Sequence, residues 1–230
     1  MITKNKYTGS EKMSDLISDN YFLVLVLSRF DIPLGFGDMT IKEVCQKHNI
    51  DSNTFISVIN LLIFDDYQPS AAELNNISIE TLIKYLKSSH NYFLNFRLAS
   101  IRKKLDAALK KGEKDIHAVI IKYYDQYVGE VEKHMKYEEE VVFPYVNKLL
   151  LKKSTSKYNI DTFSKKHDKV ESKLTELKNI IIKYYQSPIN EELNEALYDI
   201  FSCAVDLASH NKIEDGLIVP AVRRIENCGK

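Results

Sequence analysis

Four long stretches of this chain repeat apolar residues every three or four positions with almost no helix breaker inside them, and few folds accept that pattern. They run from about Ser78 to Lys111, Asp115 to Lys152, Asp161 to Gln186 and Asn190 to Asn227. In the third, Ile180, Ile181, Tyr184 and Tyr185 mark the apolar side of a helix. Only 7 glycines and 5 prolines occur in 230 residues, and Gly112 and Ser187-Pro188 sit at the breaks, where helices stop. Only Gly129 and Gly216 fall inside helical patterns. Short breaks between long helices make antiparallel neighbours the default. The expected fold is all-α, with an antiparallel up-down-up-down four-helix bundle over residues 78–230.

Residues 1–64 read as a small helical N-terminal domain and 65–77 as a linker containing Pro69, Ser70, Asn75 and Asn76. A run from Lys12 to Phe30 ends in the breaker-rich Ile32-Pro33-Leu34-Gly35-Phe36-Gly37-Asp38. Thr40 and Glu43 have capping-box spacing, Asn49 closes that helix, and Ser52 or Asn53 opens the next. The pair has helix-turn-helix rhythm, but Ser52 to Phe64 contains no lysine or arginine, and DNA affinity depends on such residues. A docking domain is therefore expected in place of a DNA reader. Lysine plus arginine balance aspartate plus glutamate at 32 each, so no global charge draws the chain to nucleic acid or anionic lipid. No apolar leader and no run of 18 apolar residues is found, so no signal peptide and no membrane span are expected. Cys45, Cys203 and Cys228 are odd in number and widely spaced, which fits a reducing cytoplasm better than a disulfide framework.

The chemistry lies in the histidines. Of six, His90, His134, His167 and His210 fall one to each long helix, and Glu138 and Glu214 follow His134 and His210 by four residues. That spacing puts each pair on one helix face, one turn apart. The helix heights agree. His90 and His134 lie 22 residues either side of Gly112, and His167 and His210 lie 21 and 22 residues either side of Pro188. In an antiparallel bundle these offsets set all six groups at one level. Any one of these histidines alone reads as an ordinary core or surface residue; six donors in one layer do not. His117, 17 residues from His134, is roughly 25 Å away along the axis, and His48 belongs to the N-terminal domain. Neither is a ligand candidate. Glu139 and Glu140 read as surface acids, with Glu139 the alternative should the register slip. Glu130 and Asp206, one turn before the histidines, could hydrogen-bond to them or face solvent. Four imidazoles and two carboxylates exceed one tetrahedral zinc and suit two metals bridged by carboxylate, the terms of non-haem iron.

His90, the string His134-Met135-Lys136-Tyr137-Glu138-Glu139 followed by Val142-Phe143-Pro144, then His167, and His210 with Glu214 followed by Ile218 and Pro220, resemble the hemerythrin-like HHE cation-binding domain. The resemblance covers about Ser78 to Asn227. With the N-terminal helical domain added, the layout looks like the iron–sulfur cluster repair di-iron proteins (the RIC family). It implies two iron ions in an oxo- or hydroxo-bridged di-iron centre, held by His90, His134, Glu138, His167, His210 and Glu214. It also implies a role in repairing clusters damaged by nitric oxide or oxidants. Where that family carries adjacent cysteines before Gly-Gly, this chain has Phe30-Asp31-Ile32-Pro33-Leu34-Gly35-Phe36-Gly37, so a thiol step there lacks its residues. Where some members carry a further histidine, this chain has Leu109-Lys110-Lys111-Gly112.

The expected function is that of a di-iron protein of nitrosative or oxidative stress, acting by iron donation or by nitric oxide or dioxygen chemistry. The alternative is a carrier or sensor of those gases without turnover, and whether the protein is an enzyme stays open between them. Iron–sulfur proteins are the expected macromolecular partners. The oligomeric state is open, a homodimer among the alternatives.

Overall fold

The computed structural model describes residues 6–110, 114–152, 158–163, 168–186 and 189–228. The architecture is all-α, a helical bundle with an N-terminal helical region, and the described residues contain no strand beyond an isolated bridge between Lys12 and Thr40. The breaks expected at Gly112 and Ser187-Pro188, and the candidate ligand His167, lie outside the described residues. The chain packs as two compact units.

The first unit comprises Met1–Ser89, Val146–Ser156 and Lys212–Lys230. It begins with α1 (Met13–Asp19), α2 (Leu23–Arg29), α3 (Ile41–Lys47) and α4 (Ser52–Ile63). Capping chemistry sets their edges. Thr40 and Glu43 form a complete capping box on α3, and Asp51 accepts from the Thr54 N–H to start α4. Asn49 adopts φ 56°, the left-handed conformation that asparagine tolerates, just beyond α3. α4 buries Phe55, Val58, Ile59 and Leu61, and Asn60 exchanges two hydrogen bonds with the Tyr7 backbone, both at 2.9 Å. Residues 65–77, expected as a linker, contain the short helix α5 (Ala71–Asn75). A capping box between Ser70 and Glu73 supports it, and Tyr67 is buried beside it.

Cys45 in α3 is fully buried, and burial first, with Asp51 second, pushes its thiol up to about 12. Thiolate is the reactive form. Alkylating reagent at pH 8 is therefore expected to spare Cys45 in native protein and to modify it after denaturation. Peptide mapping checks this, and prompt native labelling contradicts it.

The second unit comprises His90–Tyr145 and Lys157–Asn211 and holds the bundle core. α6 (Ile79–Tyr92) passes through a π-helical turn, Phe93–Arg97, into α7 (Leu98–Leu109). α8 (Lys114–Tyr137) passes through a second, Glu138–Val142, into α9 (Phe143–Leu150). α10 is Asp168–Tyr184, preceded by a short 3-10 turn at Ile160–Thr162. α11 (Glu191–Ile213) passes through a third π turn, Glu214–Ile218, into α12 (Val219–Cys228); α12, α6 up to Ser89 and α9 from Val146 belong to the first unit.

Leu98, Ile101 and Leu105 of α7 pack with Ile120, Tyr124 and Val131 of α8, Leu177 and Ile181 of α10, and Ala196, Ile200 and Leu207 of α11. Cross-bundle bonds fix the directions. Arg102 meets Asp125 and His117 meets Asp106, which makes α7 and α8 antiparallel. Arg97 reaches Ser202 while the Asn190 amide donates to the Ala108 carbonyl, which makes α7 and α11 antiparallel. No helix among the described residues is long and apolar enough to cross a membrane.

Candidate metal centre

Each helical run that carries a histidine–glutamate pair changes its winding at the glutamate. Phe143 N–H donates to the Glu138 carbonyl and Val219 N–H to the Glu214 carbonyl, the wider i→i−5 closure of a π turn. A third such bond, from Leu98 N–H to the Phe93 carbonyl, lies just after His90. Pro144 and Pro220 stand six residues after the two glutamates. A proline has no N–H for the regular i→i−4 bond, and a π turn ending just before it relieves that mismatch. Gly216 lies inside the Glu214–Ile218 turn, where an added Cβ would meet Leu61 Cδ2 at 2.8 Å.

Glu138 is fully buried, and imidazoles face both of its oxygens. His134 Nε2 is 2.8 Å from Oε1, while His90 Nε2 is 2.9 Å and His210 Nε2 3.8 Å from Oε2. Burial alone would raise this carboxyl, but His134, His210 and His90 outweigh it and hold Glu138 well below the usual carboxylate range. His90 and His210 stand with ring centroids 5.2 Å apart. Aromatic side chains enclose the imidazoles: Phe143 stacks on His90, Phe163 stacks on His134, and Phe93 meets His210 edge-on.

Glu214, one turn beyond His210 on the same helical run, is also fully buried. Ligand atoms of His90, Glu138, His210 and Glu214 all lie within 4.8 Å of one another. His134 joins the set through its contact with Glu138. His117 instead sits near the start of α8 against Asp106 at 3.0 Å, and His48 caps the C-terminus of α3.

These residues fit a metal. Two donors bound to one ion at about 2.0–2.2 Å each stand roughly 3 Å apart when near right angles. The 2.8 and 2.9 Å contacts of Glu138 with His134 and His90 match that spacing. Yet the facing His90 Nε2 and both Glu138 oxygens lack hydrogen-bond geometry, an arrangement that costs free energy in a dry core unless a cation completes it. The sequence matches the hemerythrin HHE cation binding domain over residues 81–222, more than half of the chain. The chain belongs to that family. It is accordingly a hemerythrin-like, metal-binding protein. A search of curated proteins found no match.

The acid that sequence reading leaves at the surface of this hemerythrin-like centre proves to be connected to it. Glu139 Oε1 lies 2.8 Å from Nδ1 of His90, and the Glu139 side chain is 45% exposed where His90 is 1% exposed. With Nε2 turned to the donor cluster, Nδ1 carries the proton and donates to Glu139, which fixes ring orientation and raises ligand basicity. Adjacency to Glu138 was the signal available in the sequence. The π turn makes it effective, because it alters the angular step between residues 138 and 139 from that of a regular helix.

Proposed function

We propose that this hemerythrin-like protein is a non-haem di-iron protein of the nitrosative and oxidative stress response. It would support repair of damaged iron–sulfur clusters through iron donation or through nitric oxide or dioxygen chemistry. His90, His134, His210, Glu138 and Glu214 would hold the ions, with His167 completing the set. The observation that carries the reading is a buried carboxylate with imidazoles at both of its oxygens, the donor arrangement of a bridging ligand between two cations. A pair of iron ions supplies reversible one-electron chemistry and open positions for a diatomic ligand. The chain's own part is to fix the imidazoles, keep Glu138 ionised and exclude water with Phe93, Phe143 and Phe163.

A second reading, a gas carrier or sensor without turnover, draws on that aromatic enclosure, because a dry pocket favours a reversible adduct over hydrolytic or redox escape. The N-terminal unit supports docking over DNA reading, since α4 buries Thr54, Phe55 and Ser57 through Leu61 and carries no lysine or arginine for phosphate contacts. Cys45, buried with a raised pKa, does not replace the absent cysteine pair. Iron–sulfur proteins and a cytoplasmic setting complete this proposal.

Metal analysis with an ultraviolet–visible spectrum tests it. About two irons per chain with bridged-iron absorption is the expected result; zinc alone, or no metal, contradicts it. With iron bound, repeated consumption of nitric oxide or dioxygen selects the redox reading, and a stable reversible adduct selects the carrier.

A further inference from the structure

α11 has two apolar faces, although a bundle helix ordinarily keeps its outer face polar. Leu193, Ala196, Ile200, Cys203 and Leu207 fill the bundle core. On the other side Tyr198 is 71% exposed, Val205 69% and Phe201 42%. With Ser202 these residues occupy positions i, i+3, i+4 and i+7, the four corners of a patch at which one helix crosses another. Lys178 of α10 lies over the Phe201 ring at 5.2 Å and borders the patch on one side.

The charges along the helix say what covers it. A twofold axis between Phe201 and Ser202 exchanges Tyr198 with Val205, Asn194 with Ser209, and Glu191 with Lys212. The same operation sets Glu192 opposite Asn211, Glu195 opposite Ala208, Asp199 opposite Ala204 and Asp206 opposite Leu197. Opposite charges meet at the ends, apolar side chains meet at the centre, and no acid faces an acid. A surface complementary to itself under a twofold is what an isologous dimer requires. Lys212 also stands 3.5 Å from Asp65, but Asp65 is fully exposed and that pair can yield.

We propose that a second copy of this chain covers the stripe, through an antiparallel twofold contact of α11 with itself centred between Phe201 and Ser202. The contact rests on the outer face of α11 and is independent of which metal the protein holds.

Sedimentation equilibrium of the full-length protein is the test. Wild type is expected to dimerise. Val205→Glu places an unpaired charge at the centre of the contact, and is expected to raise the dissociation constant roughly a hundredfold. Helical content and bound metal should stay unchanged in that variant, because residue 205 is exposed and outside the donor cluster. Glu191→Lys and Lys212→Glu should each weaken the dimer by setting like charges opposite one another, and the double exchange should restore it. A wild type that stays monomeric, a dimer indifferent to Val205→Glu, or a double exchange that recovers nothing would each overturn the proposal.

Discussion

Replacing Glu138 with alanine is expected to remove most of the bound metal while leaving the helical content of the protein intact. Glu138 is the donor that His90, His134 and His210 approach together, with imidazoles at both of its oxygens. Without it the three imidazoles lose the carboxylate they share. The core residues Leu98, Tyr124, Leu177 and Ile200 stay in place, so loss of metal need not mean loss of fold. Glu140→Ala is the matched control, since Glu140 is exposed and meets Lys136 at 3.7 Å. Glu139→Ala should fall between the two, with metal affinity lowered roughly 10–100-fold through the lost bond to His90 Nδ1. Metal per chain, measured beside the far-ultraviolet circular dichroism of each variant, gives the answer. Full metal retention by Glu138→Ala would remove that carboxylate from the centre.

The parts of this centre that could be read from the sequence follow regular helical geometry. The i, i+4 pairing of His134 with Glu138 and of His210 with Glu214 follows from 3.6 residues per turn. The level of His90 opposite His134 follows from equal distances to Gly112. Helix edges were legible wherever a side chain fixed them, as with Thr40 and Glu43 on α3 or Asn49 beyond it. What escaped is irregular winding. Periodicity analysis assumes one angular step per residue, so it extends a regular helix straight through Glu138–Val142 and assigns Glu139 to solvent. The π turn departs from that step, and Glu139 reaches His90. Pro144 and Pro220 carried the warning, because each needs a disturbed hydrogen-bond ladder before it. Residues 65–77 show the reverse case. Pro69, Ser70, Asn75 and Asn76 suggested a linker, while Ser70 and Glu73 held the local information for a capped helix. The outer stripe of α11 escaped for another reason: Tyr198, Phe201 and Val205 look like core residues in a sequence, and only the packing of Ile200, Cys203 and Leu207 shows that they face away.

Removing the metal is expected to lower the melting temperature, and acid should then expose the part of stability that belongs to Glu138 alone. A metal present at a thousand times its dissociation constant contributes about 4 kcal/mol to the folded state, or roughly 10 °C of melting temperature for a chain of this size. In metal-free protein the Glu138 carboxyl remains well below its usual range, because the three imidazoles outweigh the cost of burial. A depressed folded value means that the unfolded chain binds the proton more readily. The stability this group contributes is therefore complete above the ordinary carboxylate range, and is lost as pH falls from that range through the lower folded value. Metal-free wild type and Glu138→Gln, melted at intervals from neutral to acid pH, should differ by a constant amount until the carboxylate range is reached. Below it the curves should converge, since wild type then carries a neutral side chain as well. A difference that persists unchanged into strong acid would assign the effect of the substitution to packing, and would leave the imidazole–carboxylate cluster without the charge that a cation centre needs.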